Sequence, residues 1–124
     1  MLDVVALALI DPNGRVLLQR RRADRQHGGL WEFPGGKLEP DETAIAGLLR
    51  EVREELGLHL AMADMKWLAR AEDPAAAIVI QLYTCRCWSG EPLCLDAAEL
   101  GWFAPDELRG LAMPPLDVQL ARVL

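Results

Sequence analysis

The chain has 124 residues, 52% of them hydrophobic, and a formal net charge of −6 at pH 7. That length bounds a single domain, residues 1–124, and the apolar share is enough for a core without disulfide or metal staples. The acidic balance excludes a sequence-independent grip on a nucleic-acid polymer, which needs a broad basic surface, but leaves room for a small nucleotide bound through a cation.

No apolar run approaches the roughly 20 residues that a membrane span needs, so no membrane contact is expected. The opening Met1-Leu2-Asp3-Val4 lacks the basic start and cleavage site of a signal peptide, which points to a cytoplasmic protein. Cys85, Cys87 and Cys94 form no C-x-x-C pair. They are expected to be buried reduced thiols and not a zinc site.

In chain order, Val4 to Ile10 is apolar and β-branched enough for a buried strand. Asp11-Pro12-Asn13-Gly14 reads as a turn and Arg15 to Arg20 as the returning strand. Gly28-Gly29 breaks the chain before a short strand, Leu30 to Phe33, and Pro34-Gly35-Gly36 then predicts a loop. Thr43 to Leu56 carries a helical pattern, with Thr43 or Asp41 as its cap and Gly57 as its left-handed stop. Met65 to Arg70 and Ala77 to Arg86 pair as strands around Glu72-Asp73-Pro74. Beyond the turn at Ser89 to Pro92 come extended pieces at Leu93 to Leu95 and Leu100 to Phe103. Pro105 opens a short helix ending near Gly110, and Leu116 to Leu124 forms a closing helix. Strands precede, interrupt and follow helices, so the predicted class is α/β, a mixed sheet covered by helices.

The central helix has two faces. Ile45, Leu48, Leu49, Val52 and Leu56 recur at helical spacing and make a buried stripe. Glu51, Glu54 and Glu55 stack on a different face. Like charges at those spacings repel by a few tenths of a kcal/mol per pair, roughly. Arg50 and Arg53 offset only part of that. A hard divalent cation with oxygen ligands would turn the repulsion into attraction. Gly47 is a misfit, because glycine inside a helix costs about 1 kcal/mol against alanine; close packing is its expected reason.

Around this helix stand Gly36, then Glu42 after five residues, and, seven further residues on, Arg50-Glu51-Val52-Arg53-Glu54-Glu55-Leu56-Gly57-Leu58. This resembles the Nudix box, G-x5-E-x7-R-E-U-x-E-E-x-G-U with U a bulky aliphatic, matching all nine specified positions over 23 residues. The resemblance implies an α/β/α sandwich with a loop–helix–loop metal site and water attack on phosphorus. It implies Mg2+, with Mn2+ as the other option, held by Glu51, Glu54 and Glu55, with Gly35 and Asp96 completing the metal set. Arg50 is then expected to orient a carboxylate through an ion pair. One glutamate could serve as general base, Glu51 being the first candidate, while Glu42 is either structural or an indirect aid to the metal.

Much of the remaining chain resembles the MutT-type branch, whose members act on oxidised purine triphosphates such as 8-oxo-dGTP. Leu30-Trp31-Glu32-Phe33-Pro34-Gly35-Gly36-Lys37 is similar to that branch's strand entering the box, and Gln19-Arg20-Arg21 to its nucleotide-contacting strand end. Met113-Pro114-Pro115-Leu116-Asp117 resembles an element whose polar residue reads the base. The substrate-binding set implied is Arg21, Phe33, Gly36, Lys37 and Asp117. The branch usually carries Asn where Asp117 stands; a carboxylate accepts hydrogen bonds and so prefers a base edge bearing N–H groups. Cleavage would release a nucleoside monophosphate and pyrophosphate. The alternatives are a Nudix enzyme for pyrimidine nucleotides or ADP-ribose and, in another class, a non-catalytic nucleotide-sensing module, which typically loses the box carboxylates that this chain retains.

Overall fold

Side chains alternate across a strand, and the first two strands use both sides. The computed structural model describes residues 1–124. In it β1 (Leu2–Leu9) sends Val5, Leu7 and Leu9 into one buried cluster and Ala6 and Ala8 into another. β2 (Val16–Arg20) divides in the same way, Leu17 on one side and Val16 and Leu18 on the other. Strands apolar on both faces must be covered on both. The first face is covered by α1 (Ala44–Leu56) through Leu48, Val52 and Leu56. The second is covered by α2 (Pro105–Leu108) and α3 (Pro115–Ala121), through Leu108 and Leu120. The α/β/α sandwich expected from the sequence is what forms.

The central layer is two sheets. One is mixed: β3 (Trp31–Glu32) is not part of it, but β4 (Gly35–Lys37), β1, β6 (Ile78–Cys85) and β5 (Lys66–Asp73) lie side by side in that order. Within it β1 runs parallel to β6 and antiparallel to β4. The other is antiparallel, with β2 between β3 and β7 (Glu99–Phe103). An isolated bridge between Ile10 and Val16 joins them at the first turn. No helix is long and apolar enough to cross a membrane.

Helix α1 is fixed at both ends. The Thr43 hydroxyl accepts the Ala46 N–H at 3.2 Å, so Thr43 and not Asp41 is the cap. Gly57 closes the helix at φ 69°, its N–H donating to the Arg53 carbonyl. Leu48, Val52 and Leu56 are fully buried, each contributing roughly 1.5–3 kcal/mol by leaving water.

Several expectations change. Gly35 and Gly36, predicted as loop together with Pro34, open a strand, Gly35–Lys37, that pairs with Val4 to Ala6. Gly35 adopts φ 153°, and a Cβ there would run into the Val5 carbonyl oxygen, so only glycine allows this pairing. Leu93 to Leu95, predicted as extended, joins no strand. Instead the Leu93 and Leu95 amides donate to the Leu56 and Glu55 carbonyls, satisfying the last turn of α1. The closing helix starts one residue earlier than expected and ends at Ala121. Of the cysteines Cys85 alone is buried, because β6 ends there and Cys87 and Cys94 fall in exposed irregular chain.

Gly47 faces Leu38 and Glu42, and a Cβ would sit against the Leu38 side chain and 2.8 Å from Glu42 Oε1. Overpacking of that kind costs about 1–3 kcal/mol, more than the propensity that alanine returns. Gly47→Ala is therefore expected to lower the urea midpoint; a variant more stable than the parent would show that the ridge is free to move.

Candidate active site

The carboxylates of α1 are held by two devices, one for Glu51 and Glu54 and another for Glu55. The first is Arg50. Its Nε and Nη2 donate to the two oxygens of Glu42 at 2.7 and 2.9 Å, a bidentate pair, and Nη2 also reaches the Lys37 carbonyl at 3.1 Å. Its Nη1 donates to Glu51 Oε1 at 2.9 Å and to Glu54 Oε2 at 3.3 Å. Arg50 thus bridges three carboxylates, and Glu42 clamps the arginine. The bidentate bonds from Arg50 hold the Glu42 carboxyl down at about 2, and Glu42 in turn raises the Arg50 pKa further.

Glu51 is packed against Gly36, where a Cβ would come within 2.5 Å of its carboxyl carbon. Burial raises its carboxyl above the ordinary range although Arg50 opposes the shift. Glu54 is mostly exposed, at 56% of its side chain.

The second device lies in the sheet. Glu55 is 6% exposed and accepts the Gln19 amide at 3.1 Å and the Gly35 N–H at 3.3 Å. Burial pushes its carboxyl up to about 8, with the Gln19 bond opposing and the Glu51 charge adding. Arg50 holds Glu51 and Glu54 while Gln19 holds Glu55, and the three do not converge into one cation-sized cluster. As a donor set they nevertheless fit a hard divalent cation. All are carboxyl oxygens, the hard donors such a cation takes, and the missing side chain at Gly36 leaves room for the Glu51 carboxylate itself.

A cavity of about 200 Å3 adjoins this helix, lined by Arg21, Glu32, Phe33, Lys37, Ile80 and Asp117, with Gly35 and Gly36 in its wall. It brings together all five residues expected to bind substrate. Asp117, 8% exposed, accepts the Phe33 N–H at 3.1 Å through Oδ2. Burial pushes its carboxyl up to about 7, the Phe33 bond opposing and the Glu32 charge adding. Arg21 donates to Glu32 Oε1 at 2.7 Å and, through Nε, to the Gln26 carbonyl. Asp96 lies apart from the glutamates of α1 in its bonding: its carboxylate accepts from Arg25 at 3.3 Å, in a small cleft shared with Arg21 and Arg22.

Sequence reasoning missed Gln19, Glu32 and Ile80. A polar side chain closing the apolar run Val16-Leu17-Leu18 was the available sign for Gln19; Ile80 offered none.

The NUDIX domain model matches residues 1–124. The chain belongs to the Nudix family. The Nudix relatives include the CTP pyrophosphohydrolase of Escherichia coli K12, 34% identical over 122 residues, which cover 97% of this chain and 88% of the relative. The 8-oxo-dGTP diphosphatase of Proteus vulgaris is 32% identical over 90 residues, 73% of this chain and 80% of the relative. Among solved Nudix structures, the solution structure of the E. coli ORF135 protein superposes with a TM-score of 0.86 at 31% identity, covering 99% of this chain and 87% of that one. This Nudix chain is a nucleotide diphosphatase of MutT-like type.

The Asp117 shift sets a pH dependence. Its folded value, about 7, lies above the ordinary 3.8. The stability that it contributes is full below the unfolded pKa and is lost as pH rises through 7. Asparagine keeps an acceptor for the Phe33 N–H and carries no charge. Asp117→Asn is expected to be more stable than the parent at pH 8, by on the order of 1–3 kcal/mol, the gap closing towards pH 4–5. A gap that does not change with pH in thermal melts would refute this.

Proposed function

We propose that this enzyme is a Mg2+-dependent nucleoside triphosphate pyrophosphohydrolase, active also with Mn2+, whose first substrates are cytosine nucleotides. One observation supports it above the others: Gly35 and Gly36 line the cavity and also touch Glu55 and Glu51. A base seated between Phe33 and Asp117 therefore has its phosphates directed along β4 towards the carboxylate helix. Phe33, 3% exposed and packed in the buried cluster with Ala6 and Leu18, gives the cavity an apolar edge on that side.

The cavity wall carries two carboxylates, Glu32 and Asp117. Carboxylates accept, so the wall suits a base edge with N–H donors. The exocyclic amine of cytosine supplies such an edge. The sequence put 8-oxo-dGTP first; the longer alignment with the relative named for CTP, 122 residues against 90, moves the cytosine nucleotides ahead of it. 8-oxo-dGTP stays as the second reading, since its ring N–H groups can also meet Asp117 and a relative is named for it.

Glu51, Glu54 and Glu55, with the Gly35 backbone, are the residues that would hold the cation. When bound there, it supplies polarisation of phosphoryl oxygens and a lower pKa for water. Arg50 keeps Glu51 and Glu54 in place. Glu51, whose carboxyl burial shifts towards neutrality, serves as the base that takes the proton of the attacking water. Arg21 and Lys37 bear on the phosphates, and the products are a nucleoside monophosphate and pyrophosphate.

A substrate panel tests the specificity: CTP, dCTP, 5-methyl-dCTP, dGTP, 8-oxo-dGTP, ADP-ribose and diadenosine tetraphosphate with Mg2+, products resolved by chromatography. The expected kcat/KM for the cytosine nucleotides exceeds that for 8-oxo-dGTP by about 10-fold or more. Dominant 8-oxo-dGTP turnover would install the second reading, and dominant ADP-ribose turnover would remove both. Glu54 is exposed, so Glu54→Gln is expected to fold normally while losing upwards of about 100-fold in kcat. Wild-type turnover in that variant would remove Glu54 from the cation site.

A further inference from the structure

Gln19 has no part in the reaction as described above, yet it touches both halves of the site. It closes β2 behind an apolar run, and its side chain is 3% exposed. Its single amide nitrogen donates to Glu55 Oε2 at 3.1 Å and to Glu32 Oε2 at 3.4 Å. The NH2 group, and not the carbonyl, faces both carboxyl groups. That orientation leaves Oε1 buried with no partner, the only such side-chain atom in the structure. A buried unpaired acceptor costs free energy that a leucine in the same strand would not.

The geometry accounts for that cost. Gln19 stands opposite Glu32 across the β2–β3 pair and beneath Glu55 on α1. Without its two N–H groups, a carboxylate of the base cavity and a carboxylate of the cation helix would share one buried space. Gly35 alone would then hold Glu55, and the Glu32 charge would push against it. Arg21 fixes Glu32 from its other side, so Glu32 cannot simply swing away.

We propose that Gln19 is a positioning residue, whose amide separates Glu32 from Glu55 and holds Glu55 against Gly35 where it can serve a divalent cation. This rests on the cation-dependent reading above. Gln19 touches no substrate in this arrangement; it acts through Glu55.

The test uses the full chain and four proteins: the parent, Gln19→Met, Glu32→Gln, and the double variant. Mn2+ binding is followed by electron paramagnetic resonance without nucleotide, and kcat and KM are measured separately. Gln19→Met is expected to weaken Mn2+ binding by about 10-fold and to lower kcat, with KM for the nucleotide nearly unchanged. Adding Glu32→Gln removes the opposing charge and should restore part of the lost Mn2+ affinity, a non-additivity that a merely structural role would not give. Parental Mn2+ affinity in Gln19→Met, or additive losses in the double variant, would overturn the proposal. Should Gln19→Met not fold, Gln19→Asn carries the same expectations, because its amide falls one methylene short of both carboxylates. A parent that binds no Mn2+ and cleaves none of the panel would fail the functional reading instead, which keeps the two failures distinct.

Discussion

Three carboxylates on consecutive turns of one helix repel each other, and the architecture of the site is a set of answers to that repulsion. Arg50 answers for Glu51 and Glu54, and Glu42 keeps Arg50 in place with two bonds. Glu42 needs the space over Gly47 to do so. Glu55 is answered differently, by neutral donors from Gln19 and Gly35 inside the sheet. The site therefore depends on a glycine in a helix, a glutamine in an apolar strand and a glycine pressed against a carbonyl. Each is locally unfavourable; the first two serve a neighbouring charge, and the third serves the pairing of β4 with β1.

The two faces of the central layer do separate work, and one short strand connects them. α1 packs on the side of Leu7 and Leu17, whereas Asp117 of α3 belongs to the side of Ala6 and Leu18. A cavity between them would ordinarily be blocked by the sheet. β4 is only Gly35 to Lys37, and its first two residues have no side chains. Through that gap Gly35 bonds Glu55 on one side while lining the cavity beside Asp117 on the other. The cavity and the carboxylate helix are thereby joined by backbone, with no long side chain between them.

The helix, its buried stripe and its carboxylate face were legible because period and charge both repeat along Ile45 to Leu56, and spacing alone fixed the box. The cavity residues Arg21, Phe33 and Asp117 were legible through resemblance and not through pattern, since they come from three separate elements. β4 was misread because Gly-Gly marks a loop in sequence; what makes it a strand is the approach of Val5, a contact 30 residues away in the chain. Glu32 and Gln19 were missed for the same reason. Each looks like an isolated polar residue until the β2–β3 register sets them opposite each other. Local chemistry was readable from the sequence, whereas partnerships made by tertiary pairing were not.

Glu54 and Glu55 occupy the last turn of α1, the part of a helix most prone to fraying. The amides of Leu93 and Leu95 close that turn from a segment some 40 residues downstream, by bonds to the Leu56 and Glu55 carbonyls. Asp96 ties the same segment to Arg25. The spatial precision of two carboxylates is thus delegated to a stretch of irregular chain with exposed leucines at its tip. Any event that loosens that stretch, whether a proteolytic nick or a local opening far below the global unfolding energy, would blur the carboxylate positions first, while the sandwich around them stayed whole.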